Sequence, residues 1–277
     1  MTLDSARVDA EIYLPPGTNG TGRVILGAIA DVAATAGVSA RVTDRYRGTQ
    51  QWLVMWGVGA DDRSAIRDRH IANGGTVVLW DIGFFNRTKF DGHCKASINH
   101  DYATKWLDRT EPCDARWESL GIELRDDADP KGHIVLAGIG PKQHAYIGKP
   151  IANWEAQKLA ELRRRFPGRR IVYRPKPKRE YVKLHCETDA KSEIHDLLRG
   201  AALVVCHHSN VAVDAVLAGV PFESDDGVST WLRGKPYTRE VRADFCRRIA
   251  RWQYKRGEMV EAWHFLRGVV NGTTNVL

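Results

Sequence analysis

Residues 204–221 read VVCHHSNVAVDAVLAGVP, and the residues able to do chemistry sit in the middle of the run. Small and β-branched residues give way to His207, His208, Ser209 and Asn210, then resume at helical spacing and stop at Gly219-Val220-Pro221. A helix start offers backbone N–H groups and the positive end of a dipole, so a polar turn there suits an anion such as phosphate. Asp214 falls about one turn into the helix, where a carboxylate can accept hydrogen bonds from sugar or ribose hydroxyls. Ala212, Ala215 and Ala218 are small enough for close backbone approach. The same residues also satisfy an ordinary capped βα unit, with the two histidines as polar loop residues.

Two more turns carry related chemistry. In AGIGPKQH, Gly138 and Gly140 follow an apolar run and let backbone amides face a phosphate, with Lys142 supplying charge. The spacing is not that of a phosphate-cradling GxxxxGK[ST] loop. In YRPKPKR, Arg174 and Lys176 stand at a strand end stiffened by Pro175 and Pro177, as a diphosphate clamp or as a solvated basic turn. One nucleotide-diphosphate site accounts for all three turns together.

Such turns must share one sheet edge, and the surrounding pattern supplies the sheet. IYLPP, QWLVMWGVG and TVVLWDIG read as strands, VILGAIADVAATAG and DDRSAIRDRHIANGG as helices between or after them. Residues 86–130 are polar and follow no clear period. HIVLAGIG, RRIVYRP, ALVVC and VPFES then repeat the strand grammar, with NWEAQKLAELRRRF, EIHDLLRGA and SNVAVDAVLAG as helices. From Thr238 to Gly268 the chain reads as helical, with Trp252, Met259, Trp263 and Leu266 near one face. The fold class expected is α/β, two Rossmann-like domains with a long C-terminal helix: residues 1–130, and residues 131–277 including that helix. The boundary is set in Asp126–Gly132, which combines acidic residues with Pro130 and Gly132.

Of 277 residues, 43% are hydrophobic, enough for one large or two small cores. No window approaches eighteen uninterrupted apolar residues, and MTLDSARVDA lacks the apolar core of a signal peptide, so no stable membrane association and a cytoplasmic location are expected. Five cysteines without a CxxC pair fit a reducing compartment. The net charge is +7 and the pI near 9.2, with nine Lys or Arg in residues 161–180, so polyanions become possible partners. Asp127-Ala128-Asp129 spells a DxD, but it lies in a charged turn beside Pro130 and not after a strand, so no essential metal is expected.

On IVYRPKP, VVCHHSNVAVDAVLAGVP and the tail RRIARWQYKRGEMVEAWHFL, residues 132–268 resemble the nucleotide-sugar-binding domain of GT-B glycosyltransferases. The likeness is to the branch with capsule and Kdo-type transferases and many phage-encoded enzymes; WDIGFFNR looks like its acidic-Gly-Phe-x-Arg motif. Two positions depart from that branch: Lys176-Pro177 stands where His-Pro is usual, and Asp214 where Glu is usual. The resemblance implies a nucleotide-sugar donor, a UDP-sugar first, held by the C-terminal domain, an acceptor at the N-terminal domain, and chemistry in the cleft they face. Leaving-group charge then falls to Arg174, Lys176 and the Ser209–Asn210 turn. The acceptor's general base is expected to be Asp81, at a strand's carboxyl end, with His100 and Asp101 next in order, while His207 or His208 contributes from the donor side.

The basic charge added to this resemblance makes double-stranded DNA with hydroxymethylated pyrimidines, as in phage base modification, the first acceptor expected. Lipid-linked or surface glycan is the alternative, and a catalytically inactive nucleic-acid-binding protein is the reading outside enzymology.

Overall fold

The computed structural model describes residues 8–57, 62–87, 92–140, 151–177 and 179–272. They fall into two compact units, Met1–Leu120 with Arg247–Leu277, and Gly121–Cys246.

In the first unit, strands β1 (Val8–Tyr13), β2 (Val38–Thr43), β3 (Trp52–Trp56) and β4 (Thr76–Ile82) are parallel. Helix α1 (Gly20–Val32) links the first two, and helix α2 (Arg63–Ala72) links the last two. All five residues of β3 are buried, the near-continuous apolar run expected of a strand covered on both faces. Asn19 starts α1 by accepting the Gly22 N–H at 2.8 Å, one of the donors a helix start leaves without an internal partner. The strand β5 (Cys94–Ile98) turns back antiparallel against β4, with Asp81 opposite Lys95 and Ile82 opposite Cys94. This strand lies in the polar region whose period was illegible. A short helix α3 (Asp114–Glu118) follows.

The second unit is a five-stranded sheet of β6 (His133–Ala137), β7 (Ile171–Arg174), β8 (Glu187–Thr188), β9 (Ala201–Cys206) and β10 (Phe222–Ser224). The order is β10-β9-β6-β7-β8 and every pairing is parallel. Helices α4 (Ile151–Arg165), α5 (Ile194–Leu198) and α6 (Val211–Ala218) complete it. Side chains alternate strictly: Ile134, Leu136, Ile171 and Tyr173 pack with Trp154 and Leu162, whereas Val135, Val172 and Val204 pack with Leu198, Ala215 and Ala218. The odd and even positions thus build two cores on opposite faces.

The boundary falls at residue 120, earlier than the acidic turn expected to mark it. Arg125 and Asp127 donate their N–H groups to Leu217 O and Ala218 O, both at 2.7 Å, so this segment already belongs to the second unit. The DxD carboxylates are engaged there: Asp127 accepts from Arg125 Nε at 2.7 Å, and Asp129 from the Lys131 N–H at 2.9 Å.

The C-terminal stretch also departs from expectation. It contains a helix α7 (Arg239–Ala250), a strand β11 (Gln253–Tyr254) and a helix α8 (Met259–Val270), and from Arg247 it joins the first unit, not the second. β11 extends the first sheet to β11-β5-β4-β3-β1-β2. The expected apolar face explains the return: Trp252, Met259, Trp263 and Leu266 are all buried. Trp263 lies 6.0 Å from Trp52 and donates its Nε1–H to Ile29 O at 3.1 Å, while Trp252 Nε1 donates to Thr110 Oγ1 at 3.0 Å. Gln253 breaks the helix because its backbone joins the sheet and its carboxamide oxygen takes the N–H groups of both Phe84 and Phe85, each at 2.9 Å.

Candidate functional site

Because all strands of the second sheet run one way, the turns after β6, β7, β9 and β10 emerge along one edge, the carboxyl edge where parallel sheets collect ligands. The turns after β6 and β7 touch: Gly138 donates its N–H to Arg174 O at 2.9 Å. A Cβ at Gly138 would lie 2.6 Å from the Tyr173 hydroxyl oxygen, and one at Gly140 would lie 3.0 Å from Lys176 Cδ. At Gly138 a side chain would force the Tyr173 phenol to move, whereas at Gly140 the lysine stem packs closely over the backbone. Arg174 is only 9% exposed and spends one N–H on Asp189 O at 3.2 Å, whereas Lys176 is exposed. Lys142 lies outside the described residues.

The turn after β9 holds His207, His208, Ser209 and Asn210, all half-buried. Ser209 Oγ accepts the Val211 N–H at 3.2 Å, and Asn210 O accepts the Asp214 N–H at 3.0 Å, which starts α6. The two imidazoles meet Nδ1 to Nδ1 at 3.0 Å. Asp214, expected to receive hydroxyls, is only 2% exposed and lies inside the fold. Its carboxylate is therefore not displayed on the surface of the turn.

Sequence reasoning missed the residues that surround this turn. From α4, Trp154 meets His207 edge-on at 5.8 Å, Glu155 accepts the Ile139 N–H at 3.1 Å, and Lys158 Nζ lies 3.3 Å from Asp225. Asp225 follows β10 and accepts the Trp154 Nε1–H at 2.8 Å. The strand-end rule already used for the other turns would have found the Asp225-Asp226-Gly227 loop. Nothing in NWEAQKLAELRRRF separates Trp154 from an ordinary core tryptophan.

In the first unit Asp81 is exposed near the carboxyl end of β4, and its Oδ1 accepts the Ile82 N–H at 2.8 Å. Cys94 sits opposite Ile82, and burial together with the charge of Asp81 pushes its thiol up to about 12. His100 and Asp101 do not join Asp81. Since β5 is antiparallel, its end lies beside the start of β4, where Asn99 exchanges hydrogen bonds with Val77 at 2.7 and 2.8 Å. Asp101 is bound by the Arg67 guanidinium of α2, and the His100 carbonyl accepts from Ser97 Oγ at 2.5 Å. His100 and Asp101, expected as alternatives to Asp81, therefore lie at the opposite end of β4 from it.

Beside Asp81, Gly83 donates its N–H to His93 O at 2.8 Å. His93 is 3% exposed, and burial lowers its pKa from 6.5 to about 4, against the partial support of Glu258. Between those values an unfolded chain binds a proton that the folded unit refuses, so stability is full above pH 6.5 and falls on acidification by about 1.4 kcal/mol per unit. Urea unfolding at pH 7, 5.5 and 4.5 is expected to show this slope, and His93→Gln to flatten it; equal slopes would contradict the assignment.

Four of the nine Lys or Arg in residues 161–180 are engaged within the unit as follows. Arg165 pairs with Glu223 at 2.5 Å and Arg170 with Glu187 at 2.5 Å. Arg169 donates to Pro130 O and Gly132 O at 2.8 Å, and Arg163 to His185 O. Among the described residues, no cluster of three or more His, Cys, Asp or Glu has metal-holding geometry, and no helix is long and apolar enough to cross a membrane.

No protein-family profile and no curated protein sequence matches the chain. Solved structures do, two Kdo transferases among them. The KpsC β-Kdo 2,7 transferase of Thermosulfurimonas dismutans matches with a TM-score of 0.56 at 14% identity, over 94% of this chain and 99% of that one. The KpsC β-Kdo 2,4 transferase of the same organism also matches with a TM-score of 0.56, at 10% identity over 93% and 98% of the two chains. The chain thus shares the mixed α/β, GT-B-like fold of these two structures, with two sheets and a C-terminal helix.

Proposed function

We propose that this protein is a glycosyltransferase that moves a sugar from a nucleotide-sugar to a hydroxyl of a glycan. The observation that carries the reading is the convergence of four turns on the carboxyl edge of one parallel sheet, bringing Gly138, Gly140, Arg174, Lys176 and the His207–Asn210 turn together. Amides and cations there stabilise the leaving diphosphate, a task that grows as the glycosidic bond breaks and negative charge develops. The acceptor hydroxyl needs a base, and Asp81 is the exposed strand-end carboxylate suited to it. A UDP-sugar is the donor to try first.

A glycan is favoured over DNA as acceptor for two reasons. Four of the arginines that made the basic stretch look polyanion-binding are engaged by Glu161, Glu187, Glu223 and backbone carbonyls. The two transferases of similar fold are described by the Kdo sugar they transfer.

Thermal unfolding with UDP-, GDP- and CMP-sugars tests the reading. A cognate donor at a hundred times its dissociation constant adds about 2.7 kcal/mol, and product formation on a glycan acceptor should follow. Arg174→Ala is expected to weaken that donor by about tenfold or more, since a charge-assisted hydrogen bond contributes about 1.5–3 kcal/mol. No shift with any nucleotide-sugar would end the proposal.

A further inference from the structure

The turn after β9 is held from two directions. The loop after β10 fixes its backbone: Asp225 N–H donates to Cys206 O at 3.3 Å, while Asp226 N–H and Ser224 Oγ donate to His207 O at 2.6 and 2.9 Å. Gly227 has φ 101°, a left-handed value suited to glycine, and a Cβ there would lie 3.3 Å from the His208 carbonyl oxygen. Helix α4 fixes the side chains. The Trp154 ring packs edge-on against His207, and its Nε1–H and Lys158 Nζ hold the two carboxylate oxygens of Asp225 at 2.8 and 3.3 Å. Burial alone would raise the Asp225 pKa. The Trp154 hydrogen bond and the charges of Lys158 and His207 outweigh burial and keep it below the ordinary range, hence ionised.

The Nδ1–Nδ1 contact of 3.0 Å constrains the protons of the pair. Such a bond requires one nitrogen with hydrogen and one without. A neutral pair therefore has one Nε2 that is a donor and one that is an acceptor. One added proton makes both Nε2 atoms donors, and a second would break the Nδ1–Nδ1 bond. Among the described residues, the charged groups on elements packed against the pair are Asp225 and Asp226 on the β10 loop, Arg233 donating to Ser224 O at 2.9 Å and Asp225 O at 3.5 Å, Lys158 and Glu155 on α4, and the buried Asp214 on α6. Cys206, the last residue of β9, stays neutral because burial pushes its thiol up to about 11.

We propose that His207 and His208 act as a singly charged pair that grips an anionic oxygen of the donor, with Asp225 and Trp154 as positioning residues that keep the charge on His207. The anion's identity as a donor phosphate rests on the function proposed above; the proton assignment does not.

Imidazole ¹⁵N NMR of the ligand-free full chain, titrated from pH 5 to 9, reads the pair directly. Two separated steps are expected, because the second proton must break the first bond. Asp225→Asn should move the upper step down by about one pH unit, the low end for loss of a neighbouring charge, and Trp154→Phe should move it in the same direction by less. Binding of inorganic pyrophosphate and of UDP should weaken about tenfold in Asp225→Asn above the step and recover below it, as one pH unit is tenfold in protonated fraction. Titrations unchanged in both variants would overturn the proposal even if nucleotides bind. Binding lost equally at every pH would also overturn it, leaving Asp225 a mere staple. Shifted titrations without anion binding at any pH would overturn the grip on donor phosphate and count against the glycosyltransferase reading, while the proton assignment would survive.

Discussion

Replacing Asp81 with asparagine is expected to lower turnover by about 10²–10⁴-fold, the usual contribution of a positioned general base, while donor affinity stays unchanged. Asparagine keeps an oxygen for the Ile82 N–H that Asp81 now accepts at 2.8 Å, so the end of β4 should hold its shape. What disappears is the carboxylate's negative charge and with it the ability to accept a proton. Steady-state kinetics over a range of acceptor concentrations, with donor binding measured separately by calorimetry, makes the distinction. If turnover survives, the base is elsewhere; if donor binding fails instead, the assignment of donor and acceptor roles to the two units is reversed.

The second large effect is on stability. Gln253→Leu removes an acceptor that is completely buried and serves the N–H groups of Phe84 and Phe85, each at 2.9 Å. Leucine nearly matches the volume but leaves two buried donors without partners, at about 1–3 kcal/mol each. A loss of about 2–6 kcal/mol is a large part of the 5–15 kcal/mol typical of a domain. Urea denaturation followed by tryptophan fluorescence should show a lower midpoint, since Trp80 and Trp252 are buried in the same unit. An unchanged midpoint would mean the tail does not close this unit.

The elements legible in the sequence were those with a clear period. β3, β4, β6, β7 and β9 are unbroken apolar runs, and the turns after them were readable as strand ends, which is why Gly138, Arg174 and His207 could be named. β5 was not legible. CKASI carries a lysine in a fully buried strand, tolerated because Lys95 lies over the rings of Phe84 and Tyr102, 5.0 and 5.4 Å away. Its reversed direction moved His100 and Asp101 to the wrong edge for a partnership with Asp81. The division of the chain was misread for another reason: helical spacing from Thr238 onward reports that a face is apolar, not which core it fills. Asp214 shows the same limit, because spacing places a residue one turn into a helix without saying whether that side meets water.

The first unit's sheet is bordered by a strand that the ribosome makes only after the whole of the second unit. Ile29 waits for Trp263 across 234 positions of chain, whereas every residue of the enclosed unit has been synthesised by Cys246. During translation the inserted body therefore has its full complement of partners earlier, and the segment of the first unit that precedes it in the chain matures after it. Nascent chains stalled on an unstructured linker fused after Cys246, long enough to carry that residue clear of the tunnel, should hold a protease-resistant inner fragment flanked by a still-digestible beginning.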